Sequence, residues 1–321
     1  MFNILLCITL LFSSISCAYT CEDSYSVTND IIVGLLKVEE KYLYEVNLFR
    51  NICEMFDNLK IKIVLIDYIK IIDFKKIKAE IINLIGLDGI FIKKIVLDKV
   101  KVEIVNFIKE SKINRIFILG NYCNSYYYKS FPSIYYQLII EAIIKIIDDN
   151  PAIHLLCVCG ALQAVVRAKG IEIVNMSSFI SDERILKSAS KMACLKQENI
   201  FFQKVKVVPN SHLAKVLVKF LPFDENGWFS MYVPNIIYSE ILSNTLENRK
   251  RLESLGYKIV AFSNDGVAEV IEDRYGNIYF QNCPEIFILN LNENYCLSNY
   301  KTCQISTLIA MAIINDFLYR A

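Results

Sequence analysis

Apolar and polar positions follow two different periods along this chain. Short apolar runs of strand length stand between longer stretches whose apolar residues recur every three or four positions. Ile31-Ile32-Val33-Gly34-Leu35-Leu36 reads as a buried strand, followed by an amphipathic stretch through Phe56. Ile61 to Asp67 is the next strand, and Ile113 to Gly120 is a third that ends at a glycine. From Tyr136 to Ile147 the period becomes helical, with Leu138, Ile139, Ala142, Ile143 and Ile146 on one face. Then His154-Leu155-Leu156-Cys157-Val158 leads to Cys159, and a helical pattern follows Gly160. Doubly buried strands alternating with helices predict an α/β fold, a mostly parallel sheet covered by helices on both faces.

The last third changes character. Tyr257 to Phe262, Val267 to Ile271 and Asn277 to Gln281 are three short strands, with turns at Asp265-Gly266 and Tyr275-Gly276-Asn277. Ser306 to Leu318 closes the chain as an apolar helix. Repeats, low-complexity tracts and Pro/Ser linkers are missing, so residues 19–321 are read as one domain. The first 18 residues read as a leader. Ile4 to Phe12 is apolar but too short to span, and Ser16-Cys17-Ala18 has the small-x-small form of a cleavage site. This predicts an exported protein, with an uncleaved, membrane-associated segment as the alternative.

Composition narrows the function. Hydrophobic residues make up 54% of the 321 and the mean hydropathy is +0.35, which suits a large core. No internal apolar run reaches about 18 residues free of charge, so no other membrane span is expected. Lys and Arg number 35 against 34 Asp and Glu, without the basic bias of a nucleic-acid binder. Removing Cys7 and Cys17 with the leader leaves nine of eleven cysteines, an odd number. They form no paired CxxC motifs, so neither a zinc site nor any other metal or cofactor is expected.

Cys159 is the residue with chemical promise. A nucleophile on a sharp strand-to-helix turn needs small neighbours, because larger ones clash with the turning backbone. Two residues before and after it stand Cys157 and Ala161, which are small although not glycine. Gly160 follows directly, and its N–H is placed to stabilise an oxyanion. The alternative reading is a pair of buried thiols, Cys157 and Cys159, packed between strand and helix.

Cys159-Gly160-Ala161-Leu162-Gln163 resembles the nucleophile segment Gly-Ile-Cys-Arg-Gly-Leu-Gln of class I glutamine amidotransferase-like proteins. The nearest branch is peptidase family C26, the γ-glutamyl hydrolases. Cys159, Leu162 and Gln163 match, while both flanking glycines are replaced. Leu119-Gly120-Asn121 resembles the family's Pro-Gly-Gly turn, and Glu141 lies on the following helix where the family has a glutamate. Ser211 and Leu213 resemble its Ser-x-Leu. Ser263 to Ile271 resembles its Ser-x-Asp-Gly-x-x-Glu-Ala-Ile hairpin, and Gln281-Asn282-Cys283-Pro284-Glu285 its Gln-Trp-His-Pro-Glu. The resemblance covers roughly residues 30–290. It implies a three-layer, flavodoxin-like sandwich, oxyanion donors at Gly120 and Gly160, and Gln163 in substrate binding.

The departures bear on activity. In the family, the histidine and glutamate of the last motif complete a Cys-His-Glu triad with the nucleophile. The imidazole takes the thiol proton and later protonates the leaving amine. Here the catalytic set would be Cys159, Glu285 and Cys283, with Cys283 in place of the histidine. A thiol is a poor proton shuttle at neutral pH. The segment Val233 to Ser239, which resembles the family's Val-Asn-Ser-x-His-His-Gln, also lacks histidine. The chain has only two histidines. His154 enters the strand before Cys159, roughly 16 Å away at ~3.3 Å per residue. His212 is the remaining substitute base. The expectation is a catalytically inactive family member that binds a γ-glutamyl or amide small molecule. The alternative is an active γ-glutamyl amide hydrolase with Cys159 as nucleophile.

Overall fold

The computed structural model describes residues 31–37, 43–82, 89–120, 131–180, 202–234, 240–282 and 300–320. β1 (Ile32–Leu36) is buried at all five positions, as expected of a strand covered on both faces. Its Gly34 lets neighbours close in: a Cβ there would stand 2.8 Å from Ile66 and 3.0 Å from Ile113. Next come α1 (Leu43–Asn58), β2 (Lys62–Ile66), α2 (Tyr68–Ile71), α3 (Phe74–Ile82) and α4 (Gly89–Glu110). β3 (Arg115–Ile118), α5 (Phe131–Asp149), β4 (His154–Val158) and α6 (Gly160–Ala168) complete this half. β1 pairs in parallel with β2 and β3, and β3 with β4. Parallel neighbours need long crossovers, which the helices supply.

The second half contains β5 (Val174–Asn175), β6 (Phe202–Val207), α7 (His212–Leu217), β7 (Phe229–Pro234), β8 (Glu240–Ile241) and α8 (Leu246–Ser254). It ends with β9 (Tyr257–Ser263), β10 (Ala268–Asp273), β11 (Ile278–Phe280) and α9 (Tyr300–Tyr319). The main sheet has nine strands in the order β2-β1-β3-β4-β11-β10-β9-β6-β7, and β5 pairs with β8 in a small second sheet. β11 lies parallel to β4, but β10, β9, β6 and β7 each pair antiparallel with their neighbours. The sheet is therefore mixed rather than mostly parallel. The turns at Asp265-Gly266 and Tyr275-Gly276 are too tight for a crossover and reverse the chain as hairpins.

Apolar side chains pack on both faces of the sheet. Val33, Leu35, Phe117 and Val158 point to one side, where Phe56 of α1 and Phe317 of α9 meet them. Ile32, Leu36, Ile116 and Cys157 point to the other, under Ile104 of α4, Ile143 of α5 and Leu162 of α6. Phe117 sits between Phe56 and Phe317 at ring-centroid distances of 5.9 and 6.1 Å. Burial of each such ring stabilises the fold by roughly 1.5–3 kcal/mol. Among the described residues no helix is long and apolar enough to cross a membrane. The leader at residues 1–18 lies outside the described residues.

Candidate functional site

β4 ends at Val158 and α6 starts at Gly160, so the chain turns within one residue. That residue is Cys159, at φ 56° and ψ −115°. A side chain at positive φ costs of order 1–3 kcal/mol and persists only where its surroundings enforce it. The enforcement is visible. The Cys159 N–H donates to Phe280 O of β11 at 2.6 Å, and Cys159 O accepts from Gln163 N at 3.3 Å. Gly120, two residues past β3, lies directly against the turn. A Cβ on it would stand 2.5 Å from Cys159 Cβ, 3.1 Å from Val158 O and 3.4 Å from Cys159 Sγ. The close approach explains why the residue is glycine. Gly160 N–H belongs to the first turn of α6, whose donors have no acceptor inside the helix. Cys159, Gly120 and Gly160 are thus brought together.

The two thiols do not form a pair. Cys157 is fully buried on one face of the sheet, and burial pushes its pKa well up. Cys159 is half-buried and packs against the cluster on the opposite face.

β11 runs beside β4 with Phe280 level with Val158, which delivers Gln281 and Asn282 to the neighbourhood of Cys159. Gln281 is 0% exposed and Asn282 1%. Among the described residues Gln281 Nε2 and Oε1 and Asn282 Nδ2 have no hydrogen-bond partner, a cost of about 1–3 kcal/mol for each orphaned group. The Gln281 backbone N donates to O of Glu269, itself 1% exposed on β10. Cys283 and Glu285 lie outside the described residues, as do Asn121 and residues 235–239.

Gln163 is tied into the scaffold: its Nε2 donates to Glu240 O of β8 at 2.6 Å. Arg167, one turn further along α6, pairs with the Glu240 carboxylate. Glu141 on α5 accepts from Lys93 Nζ at 3.0 Å and from Gln137 Nε2 at 3.2 Å, and Gln137 also donates to Ala164 O. These groups hold α4, α5, α6 and β8 in register. At the β9–β10 hairpin Ser263 Oγ donates to Asp265 Oδ1, and Gly266 supplies the positive φ of 84°.

Both histidines stand at the other end of the sheet. His154 is the first residue of β4, paired with Arg115 at the start of β3. Burial first, then the Arg115 and Arg320 guanidiniums, hold its pKa down to about 4. His212 opens α7, which Ser211 caps by accepting from Ala214 N at 3.0 Å. Its Nε2 lies 2.8 Å from Asp316 Oδ2 and 3.2 Å from Arg320 Nη1. Its ring lies against Gly276 in the β10–β11 turn, 3.6 Å from where a Cβ there would stand. That turn and Cys159 are at opposite ends of β11, roughly 16 Å apart at ~3.3 Å per residue. The idea of His212 as a substitute base is therefore corrected: α7 carries it under the wrong end of the sheet.

That far end holds a network that sequence reading misses. Arg115 Nε donates to Leu318 O at 3.0 Å and Nη2 to Arg320 O at 2.9 Å, clasping the end of α9. Arg320 reaches Gly276 O and Asn277 Oδ1. Asp273 accepts from the backbone N–H of Tyr275 and Asn277, from Asn277 Nδ2 and from the Tyr279 hydroxyl. The available signal is Arg115 itself, a cation in an otherwise apolar strand. Elsewhere, a groove of about 710 Å³ runs between α4 and α5 near Lys109, Ile146 and Ile153, at this same end. Among the described residues no group of three or more His, Cys, Asp or Glu is placed to hold a metal ion.

The fold and this turn define an α/β protein with a large mixed sheet and a strained cysteine between a central strand and a helix. Among solved structures the chain is similar to that in the crystal structure of SMU.1228c, at a TM-score of 0.41. The two share 11% identity over 90% of this chain and 99% of that one. No family model matches the chain, and no curated protein matches it.

Proposed function

We propose that the protein is a class I glutamine amidotransferase-like member of the γ-glutamyl hydrolase branch, with a three-layer, flavodoxin-like core, that has lost hydrolysis and kept a binding site. The observation that carries this reading is the separation of the two chemistries. The backbone at Cys159 is held in a strained turn against Gly120, while both histidines of the chain lie at the opposite end of the strands. Without an imidazole the thiol lacks the base that in the family takes its proton and returns it to the leaving amine. Cys283 in the histidine's position cannot replace it, and Glu285 then has no imidazole to orient. The site is left to bind a γ-glutamyl or amide small molecule in an exported protein.

Turnover of γ-glutamyl amides by the purified protein tests this. The expected result is no hydrolysis, together with a rise in melting temperature on adding a γ-glutamyl amide. Turnover in the ordinary range of ~1–10³ s⁻¹, abolished by Cys159→Ala, would overturn it. That outcome would favour an active γ-glutamyl hydrolase, the reading to which the retained strain at Cys159 lends support.

A further inference from the structure

We propose that the solvated face of β6 and β7, with Phe262 of β9 and Arg249 of α8 at its margin, binds a single-stranded nucleic acid. Alternation along β6 sends Val205 and Val207 into the core shared with α9. It sends Lys204 and Lys206 to the opposite face, where both are exposed. Register fixes their neighbours. Lys204 stands opposite Tyr232 of β7, and Lys206 stands between Ser230 of β7 and Phe262 of β9. Tyr232 is 41% exposed although it lies within the sheet. Trp228, just before β7, meets the Phe262 ring edge to face with centroids 5.9 Å apart. The Arg249 guanidinium lies 5.0 Å from the centre of the same ring. Three aromatic rings and three cations share this surface.

The cations lack acidic partners. Among the described residues the Lys204 and Lys206 ammoniums make no ion pair. Arg249 is held by a neutral group, its Nε donating to Asn244 Oδ1 at 2.6 Å. An opposite charge across the strands would stabilise each lysine, yet the facing positions hold Tyr, Ser and Phe. The acids of the adjoining turns, Asp224, Glu225 and Asp265, lie at the two ends of the face. There Asp224 accepts from the N–H of Asn226 and Trp228, and Asp265 from Ser263 Oγ. Lysines also guard sheet edges against pairing, but the edge strand on this side is β7, which has none. Lys204 and Lys206 stand roughly 7 Å apart, two positions along one strand. Their mutual repulsion turns to attraction when phosphates come between them. The rings set the kind of polyanion: every base has a π-face to lay on them, and only a single strand leaves that face open. The near balance of 35 cations and 34 acids over the whole chain hides this local excess.

Trp228 is the only tryptophan of the chain, so its fluorescence reports on this face directly. The test titrates the full chain with an oligothymidylate of about 16 nucleotides, a duplex of the same length, and heparin. The expected result is quenching of Trp228 by the single strand, with binding at least about tenfold tighter than to the duplex or heparin. Log affinity should fall with log salt at a slope of about −2, from three cations at ~0.7 each. Tyr232→Ala should weaken binding about tenfold and leave that slope alone. Lys206→Gln should make the slope shallower by about 0.7. Both side chains are exposed, so the unfolding midpoints of the two variants should stay parental. An oligothymidylate that leaves Trp228 unquenched would overturn the proposal, as would a Tyr232→Ala chain that binds like the parent. So would duplex or heparin binding as tightly as the single strand, because the face would then hold any polyanion by charge alone.

Discussion

The two ends of β4 lie five residues apart and are furnished in opposite ways. At the His154 end the charged groups are tied into one network, Arg115 to two carbonyls at the end of α9, Arg320 to Gly276 and Asn277, and Asp273 to four donors, although His154 Nδ1 and Arg320 Nε have no partner among the described residues. At Cys159 the backbone is strained, and the amides of Gln281 and Asn282 have atoms without partners among the described residues. Charged networks rigidify a fold, whereas backbone strain persists where something other than stability keeps it. Both histidines therefore stand at the networked end of this sheet, and the strained Cys159 end has none.

The largest expected effect comes from breaking the architectural end. Ending the chain after Phe317 removes two of the three carbonyl acceptors of Arg115, those of Leu318 and Arg320, and the Arg320 guanidinium. The loss should exceed about 5 kcal/mol, the lower end of a domain's whole stability. Urea unfolding should find the truncated chain largely unfolded without denaturant. A truncated chain with a parental midpoint would remove the contrast between the ends.

Acid comes next. His154 titrates at about 4 in the folded protein, against ~6.5 in an unfolded chain. Between those values the unfolded chain binds a proton that the folded one refuses. Stability is therefore full above pH ~6.5 and falls as pH drops toward ~4, by up to about 3 kcal/mol. Glu272, whose carboxyl burial raises, acts in the opposite sense near its own range, as its folded form holds a proton longer. Comparison with His154→Gln isolates the histidine: the variant should lose less stability between pH 6.5 and 4. Parallel pH profiles would show that His154 is not the group responsible.

The smallest effects are at the Cys159 end and have opposite signs. Gly120→Ala forces a Cβ into Cys159 and should destabilise by about 1–3 kcal/mol. Cys159→Gly relieves the positive φ and should stabilise by about 1 kcal/mol. Chemical denaturation resolves both. Stabilisation by Gly120→Ala would mean that the turn is loose rather than clamped.

Sequence pattern reaches the elements around β4 because doubly buried strands and amphipathic helices differ in period there. It assigns nothing to residues 89–110, where α4 forms. That stretch is rich in Ile and Val, whose branching suits strands, and only the burial of Leu97, Val100, Ile104 and Ile108 exposes the helical spacing. β6 and β7 escape notice for a different reason. Lys204 and Lys206 alternate with buried Val205 and Val207 on a strand with one solvated side, so no continuous apolar run announces it. At the site, the Cys159 turn is readable because Gly160 interrupts an apolar run and Gly120 ends another. The tie between Gln163 and Glu240 is not readable, since a side chain reaching a backbone carbonyl 77 positions away leaves no local mark. Nor is the position of His212, which depends on where α7 packs rather than on its neighbours in sequence.

The clasp of Arg115 on Leu318 and Arg320 also sets a schedule for synthesis. Arg115 leaves the ribosome 203 and 205 residues before Leu318 and Arg320, whose carbonyls it will bind. During elongation β3 and β4 can pair, but Arg115 and His154 must wait in water for α9. This end of the sheet is sealed only once α9 has emerged, which makes the docking of α9 a late step before the molecule becomes resistant to proteases.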